Sequence, residues 1–430
     1  MLNRTVAPDI KNAVDFHFEL KLLDIWTLDN GVNVYALNGG EEDVVQLEWV
    51  FYAGNSWEKK HLVAAATNFL LKNGTSKRSA YEINEHFEFY GSHLNRNCYN
   101  ETSNIILHSL SKHLDQLLPV VQELITDSVF AQQELDIFVQ NSKQRLSVNL
   151  QKCDFVANRQ IDVLLYGFEH PYGRYSRMED FDALTPDDLL PFYDQYYRNG
   201  QCVLFVAGKL PANLQQQLNQ YFGQLSLKPA HISPIQSPEP VLPAPDNRIH
   251  RMSNDPNGVQ GAIRIARHFP NRHHPHFQAV QVLNTLFGGF FGSRLMSNIR
   301  EEKGYTYGIN SYLQNHLAQC AWMISTEAGR DVCEAAITEV YYEMEQLRNE
   351  PVDDEELLLV RNYLLGSLLG DLDGPFQVIN RWKNYILNGI DSSEYFYSAI
   401  ESIKTVPATH LQELANVYLQ PESFYELVVV

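Results

Sequence analysis

Few side chains in this sequence stand at the spacings that chemistry requires. The stretch "RHHPH" gathers His273, His274 and His276, but no carboxylate or cysteine joins them, and the stretch reads as a solvated loop before a helix. His86 and His93 lie near Cys98, which raises a Cys–His dyad, yet no third group can be assigned to orient the imidazole. Asp353 to Glu356 form an acidic helix opening, where negative charge suits the helix dipole. In "IREEKGYTYG", Arg300 and Tyr307 stand at a helix end and a strand start, with Gly304 between them. Arginine at a helix C-terminus also suits the dipole, and tyrosine at a strand start is often packing, so position alone leaves both roles open. As chemistry, a permanently charged fork and a neutral O–H are donors suited to developing negative charge. Finally, "AAATNFLLKNGT" (64–75) reads as a helix end closed by a turn at Lys72, Asn73, Gly74 and Thr75.

These residues sit in a chain that reads twice. "SLKPAHISPIQSPEPVLPAPDNR" (226–248) holds six prolines and no periodicity, which predicts an extended linker. Before it, "IWTLDNGVNVYALN" predicts a hairpin, and "VVQLEWVFYAG" a strand. Two helices follow, then a second hairpin, "HLNRNCYNET" with "SNIILHSLS", then long helices and the apolar strand "QCVLFVAG". After it the order recurs: a strand "QGAIRIARHF", helices "FQAVQVLNTLFGG" and "SRLMSNIREEKG", the hairpin "YTYGINSYLQ" with "CAWMISTEA", long helices, and the terminal strand "FYELVVV". Gly288 and Gly289 end a helix, where a left-handed cap is expected. The repeated order predicts an α+β protein of two duplicated α/β domains, each with helices packed on a largely antiparallel sheet. The expected division is 1–225, the linker 226–248, and 249–430.

Composition narrows the partners. The chain has 430 residues, too many for one ordinary core, and 44% hydrophobic content suits a packed globular protein. A formal charge of −19 argues against nucleic acid or an anionic membrane as partner. Five scattered cysteines without a C-x-x-C pair suit free thiols in a reducing compartment. With no signal-like or membrane-length apolar run, a cytoplasmic protein is expected.

Several stretches together carry a resemblance that spans almost the whole chain. They are "LDNGVNVYALN", the helix ending in Asn73-Gly74-Thr75, "HPYGRYSRMEDFDALTPDDLLPFYDQYYRNGQCVLFVAG" and "GGFFGSRLMSNIREEKGYTYGINS". In this order, beside the duplication, they resemble the insulinase/pitrilysin family of zinc peptidases, the mitochondrial processing peptidases among them. The resemblance implies a clam-like fold around a chamber for extended peptides. It also implies an inverted zinc motif, H-x-x-E-H, on the first-half helix, since residues four apart share a helical face and can reach one ion. Counting back from Gly74-Thr75 puts that motif on Ala65, Ala66, Thr67, Asn68 and Phe69, which supply no ligand and no base. The family's third ligand falls near Lys143 to Arg145, a stretch without a carboxylate. An inactive member is therefore expected, with no zinc of its own and with Phe69 helping to fill the space a metal would take.

The resemblance assigns the remaining chemistry to Arg300 and Tyr307, which in complete family sites bind the substrate backbone and the oxyanion. Family subunits of this size commonly pair. The expectation is a non-zinc subunit that offers Arg300 and Tyr307 in trans to a zinc-bearing partner acting on peptides, or a homodimer in that partner's absence. The alternative is a non-enzymatic structural or peptide-binding scaffold of the same fold. A cysteine-dependent hydrolase ranks last.

Overall fold

The computed structural model describes residues 11–230 and 247–430. In the first half the elements run β1 (Asp24–Thr27), β2 (Asn33–Asn38), β3 (Val44–Phe51), α1 (Val63–Leu70), α2 (Ala80–Phe89), β4 (His93–Cys98) and β5 (Ser103–Leu110). Then come α3 (Leu114–Asp127), α4 (Gln132–Asn149), α5 (Cys153–Tyr166), α6 (Met178–Asp182), α7 (Pro186–Tyr193), β6 (Gln201–Gly208), α8 (Leu214–Phe222) and β7 (Lys228–Pro229). The second half begins with β8 (Ile249–Met252), β9 (Gln260–Phe269), α9 (Phe277–Asn284), β10 (Thr306–Asn315) and β11 (Cys320–Gly329). It ends with α10 (Cys333–Asn349), α11 (Asp354–Gly370), α12 (Pro375–Leu387), α13 (Glu394–Thr405), α14 (Ala408–Tyr418) and β12 (Tyr425–Val429).

Two sheets result, ordered β1-β2-β6-β3-β5-β4, with β7 also on β6, and β10-β11-β9-β12-β8. Most pairings are antiparallel, as the hairpins predict; β2–β6, β6–β7 and β8–β12 are parallel, which makes both sheets mixed. The Pro-rich segment does not begin at residue 226 as an extended linker. Leu227 is buried, and Lys228 and Pro229 pair with Gln201 and Cys202. Residues 231–246 of that segment lie outside the described residues.

Both faces of each sheet are apolar. On β6, Cys202, Leu204 and Val206 enter a core with α1, α3 and α7, while Val203, Phe205 and Ala207 enter another. That second core is closed by α12 from the other half, whose Val378, Ile379, Trp382, Tyr385 and Ile386 make one helical stripe. The exchange is reciprocal. Ala157, Ile161 and Leu165 of α5 cover the face of the second sheet formed by Ala262, Ala266, Met323 and Leu427. Helices pack on both sheets as expected, and one layer on each sheet comes from the opposite half.

Each exchanged helix also carries one ion pair to the strand it covers. Lys383 of α12 donates to both oxygens of Glu48 on β3, at 2.9 and 2.8 Å, and the Glu48 side chain is 1% exposed. Asp154 of α5 pairs with the buried Arg264 of β9, whose Nε donates to Asn158 at 2.8 Å. The strands β3 and β9 hold equivalent places in the two halves, but the polarity is reversed.

The glycine pair at 288–289 is not a left-handed cap. Neither has positive φ, and a Cβ on Gly288 would come within 2.7 Å of the Ser311 side chain, so close helix–strand approach requires this glycine.

Lys383→Met leaves Glu48 charged, buried and unpaired. It should lower unfolding free energy by about 3–5 kcal/mol, whereas Glu48→Leu with Lys383→Met should cost much less. Urea denaturation of both variants measures the difference.

Candidate functional site

The helix α1 is placed from both ends. The Glu58 carboxylate accepts hydrogen bonds from the N–H groups of Leu62 (3.2 Å) and Ala64 (2.9 Å), satisfying orphan donors of the first turn. Beyond its last turn, Asn73 donates to Glu134 of α4 at 2.8 Å, and Thr75 donates to the buried Glu123 of α3, which Arg78 also pairs. Ala64 and Ala66 bury against the sheet because their small side chains allow close approach.

The motif positions are fitted with other contacts. Asn68 is buried, and its amide donates to the Asn104 carbonyl (3.2 Å) and the Tyr197 hydroxyl (3.1 Å). Asn104 in turn donates to Glu48 at 2.6 Å, which links the helix to the Lys383 ion pair. Phe69 does not fill an interior space. It is 42% exposed, with its ring 5.0 Å from Phe138 of α4 and the Arg96 guanidinium carbon 5.3 Å from its centroid. A residue on the helix face toward α4 and the edge strand β4 finds a partly open groove, not a closed cavity. Lys143 turns to Asp182 of α6, with contacts of 2.5 and 2.6 Å. Among the described residues, no three His, Cys, Asp or Glu side chains converge to hold a metal. With alanine, an engaged amide and a phenylalanine under an arginine, these positions do not fit zinc.

Ala65 lines a cavity of about 280 Å³ beside Glu58, His61 and Arg174. This grouping was not foreseen, because Arg174 comes from a loop distant in sequence. Burial raises the Glu58 carboxyl to about 7, against the pull of the Ala64 N–H and of Arg174 at 3.5 Å. His61 approaches Asp180 at 3.5 Å.

The other candidates separate. His93 and Cys98 stand an odd number of residues apart on β4, hence on opposite sheet faces. The Cys98 thiol, pushed up to about 12 by burial, contacts Asn55 and Tyr99, and His86 binds the Gln116 carbonyl at 2.9 Å. No dyad forms. His273 binds the Asn388 carbonyl at 2.7 Å and His276 the Tyr418 hydroxyl at 2.9 Å, while the His274 and His276 rings meet edge to face at 4.8 Å, so the "RHHPH" rings serve local packing. Asp353 caps α11 by accepting the Glu356 N–H at 2.8 Å.

Arg300 and Tyr307 are brought together. A wide, π-type helical segment, Met296–Glu302, carries Arg300, and the chain reverses through Gly304 at φ +68°. The Arg300 guanidinium carbon lies 4.5 Å from the Phe291 ring centroid and 5.6 Å from that of Tyr307. Tyr307 falls where the β10–β11 register shifts, between Thr306 and Ile309. Such a bulge re-aims a side chain, and Tyr307 is 93% exposed. The opposite end of the same strand touches the first half, where His316 meets Asn100 (3.2 Å) and the Leu317 N–H donates to Glu101 (3.2 Å). Tyr307 lies on the order of 30 Å from that contact along β10, at roughly 3.3 Å per residue.

Comparison with known proteins joins these observations. Residues 58–162 match the model of the insulinase family, peptidase family M16, and residues 183–364 match that of the peptidase M16 inactive domain. The chain belongs to the M16 peptidase family. It is a member without the H-x-x-E-H motif. An uncharacterized zinc protease of Rickettsia felis is 24% identical over 351 residues, 80% of this chain and 83% of that protein. One of Bacillus subtilis is 21% identical over 369 residues, 85% of this chain and 88% of that protein. The crystal structure of a peptidase M16 inactive domain from Pseudomonas fluorescens matches with a TM-score of 0.84 at 22% identity, over 95% of this chain and 98% of that one. The clam-like peptidase fold is thereby shown. No described helix of this M16 member is long and apolar enough to cross a membrane.

Two outcomes follow from the motif helix. Combining Ala65→His, Asn68→Glu and Phe69→His should give no stoichiometric zinc by metal analysis, since the Lys143–Arg145 stretch still lacks a carboxylate. Glu58 has a folded value above its ordinary 4.5, so the stability tied to it is full below about 4.5 and is lost as pH rises through about 7. The wild-type Tm should fall across that window more than the Tm of Glu58→Gln.

Proposed function

We propose that this chain is the non-zinc subunit of a heterodimeric M16 peptidase. In this reading the partner bears the complete zinc motif. This chain closes the chamber, holds extended peptide and offers Arg300 and Tyr307 to the carbonyl oxygen under attack. The observation that carries the reading is the Arg300–Tyr307 pair, in which a half-buried arginine stands beside a tyrosine that a bulge leaves exposed to solvent. Donors placed this way are available to a second molecule. Tyr307 makes no side-chain hydrogen bond among the described residues, which leaves its O–H free to donate, and the Arg300 charge needs no partner to persist. Phe291 holds the guanidinium from beneath and limits its rotamers.

The test is peptide hydrolysis by the chain alone and then with a zinc-bearing M16 protein from the same source. The pair should be active where the chain alone is not. Arg300→Ala or Tyr307→Phe should lower turnover of the pair about a hundredfold, by analogy with loss of one oxyanion donor. Unchanged turnover in both variants would refute the assignment. Absence of any co-purifying zinc-bearing member, with peptide still bound, would favour the scaffold role instead.

A further inference from the structure

We infer that the second half of the chain holds a binding pocket for a small organic anion of the carboxylate or phosphate type, with Arg272 as its principal grip. Two adjoining cavities, of about 420 and 360 Å³, share Arg272, Asp371, Arg381 and Tyr385. They lie between the loop after β9 and the helices α11, α12 and α13, and each has the size of a small-molecule site.

The charge there is unbalanced. Two arginines and one aspartate are the charged residues lining both cavities. Asp371 is already taken, since Arg381 Nη2 donates to it at 2.6 Å while Nη1 donates to the Tyr385 hydroxyl at 3.1 Å. Arg272 has no carboxylate partner among the described residues, and its Nε is shut off from solvent without a hydrogen-bond acceptor. A guanidinium that lines a cavity with no carboxylate beside it lacks a counter-charge, and a bound anion supplies one.

The guanidinium is placed by its backbone and by the Phe277 ring, whose centroid lies 6.0 Å from its carbon, and not by an ion pair. His273 and His276 anchor the loop to Asn388 and Tyr418, and the Tyr395 hydroxyl donates to the Arg272 carbonyl at 3.3 Å. The planar fork that remains matches a carboxylate or a phosphate bidentately. The rings of Tyr385 and Tyr395, with centroids 5.3 Å apart, provide an aromatic wall for the body of the ligand.

The experiment is calorimetric titration of the full chain with inorganic phosphate, with an N-acetylated dipeptide bearing a free C-terminal carboxylate, and with its C-terminal amide. Wild type should bind at least one of the two anions and not the amide. Phosphate alone points to a phosphorylated ligand, and the dipeptide acid alone to a carboxylate. Arg272→Gln should bind about tenfold or more weakly, the loss expected for one charged hydrogen-bonding group. Its ligand-free Tm should fall only slightly, because the contact with the Phe277 ring is lost but no ion pair is removed. The inference is overturned if neither anion binds at millimolar concentration, if Arg272→Gln binds equally well, or if that variant melts as early without ligand as Lys383→Met.

Discussion

Each sheet of this protein is apolar on both faces, and one face of each is covered by a helix from the opposite half of the chain. The strand "QCVLFVAG" directs Leu204 to one core and Phe205 to the other, so the sheet that contains it needs a layer on each side. Helices α12 and α5 supply the crossed layers. The Pro-rich segment therefore divides the sequence without dividing the hydrophobic cores. Unfolding either half would strip apolar cover from the other, which couples the two halves energetically.

The polar ties along this exchange explain why the motif helix persists without its chemistry. Asn68 hands a hydrogen bond to Asn104, Asn104 to Glu48, and Glu48 receives Lys383 from the far half. A helix whose buried face closes such a chain keeps its geometry whether or not its outer face holds a metal. Glu58 and the turn at Thr75 fix its ends in the same way. The sites of interest lie off this frame: Tyr307 on a bulge at the exposed end of a hairpin, and Arg272 on a loop braced by histidines.

Much of the fold was legible because apolar periodicity and turn residues report local structure directly. The three hairpins, the motif helix and the terminal strands stand where alternation and glycine placed them. The crossed helices were not legible, since an amphipathic stripe such as Val378–Ile379–Trp382 announces that it will be buried but not against which sheet. Phe69 shows the same limit. Its size and apolarity suggested an interior role, yet the groove toward α4 is open and an arginine covers the ring.

The sequence by itself determined that this M16 member lacks the family's metal site, because ligation depends on side-chain identity at fixed helical spacing and neither alanine nor phenylalanine can coordinate an ion. It also determined the repeated order of elements. Only the tertiary structure decided which half covers which sheet, that Arg300 stands beside an exposed Tyr307, and that Arg272 is left without a counter-charge. Those outcomes depend on which segments meet in space, and contacts between residues far apart in the chain leave no periodic trace in the order of amino acids.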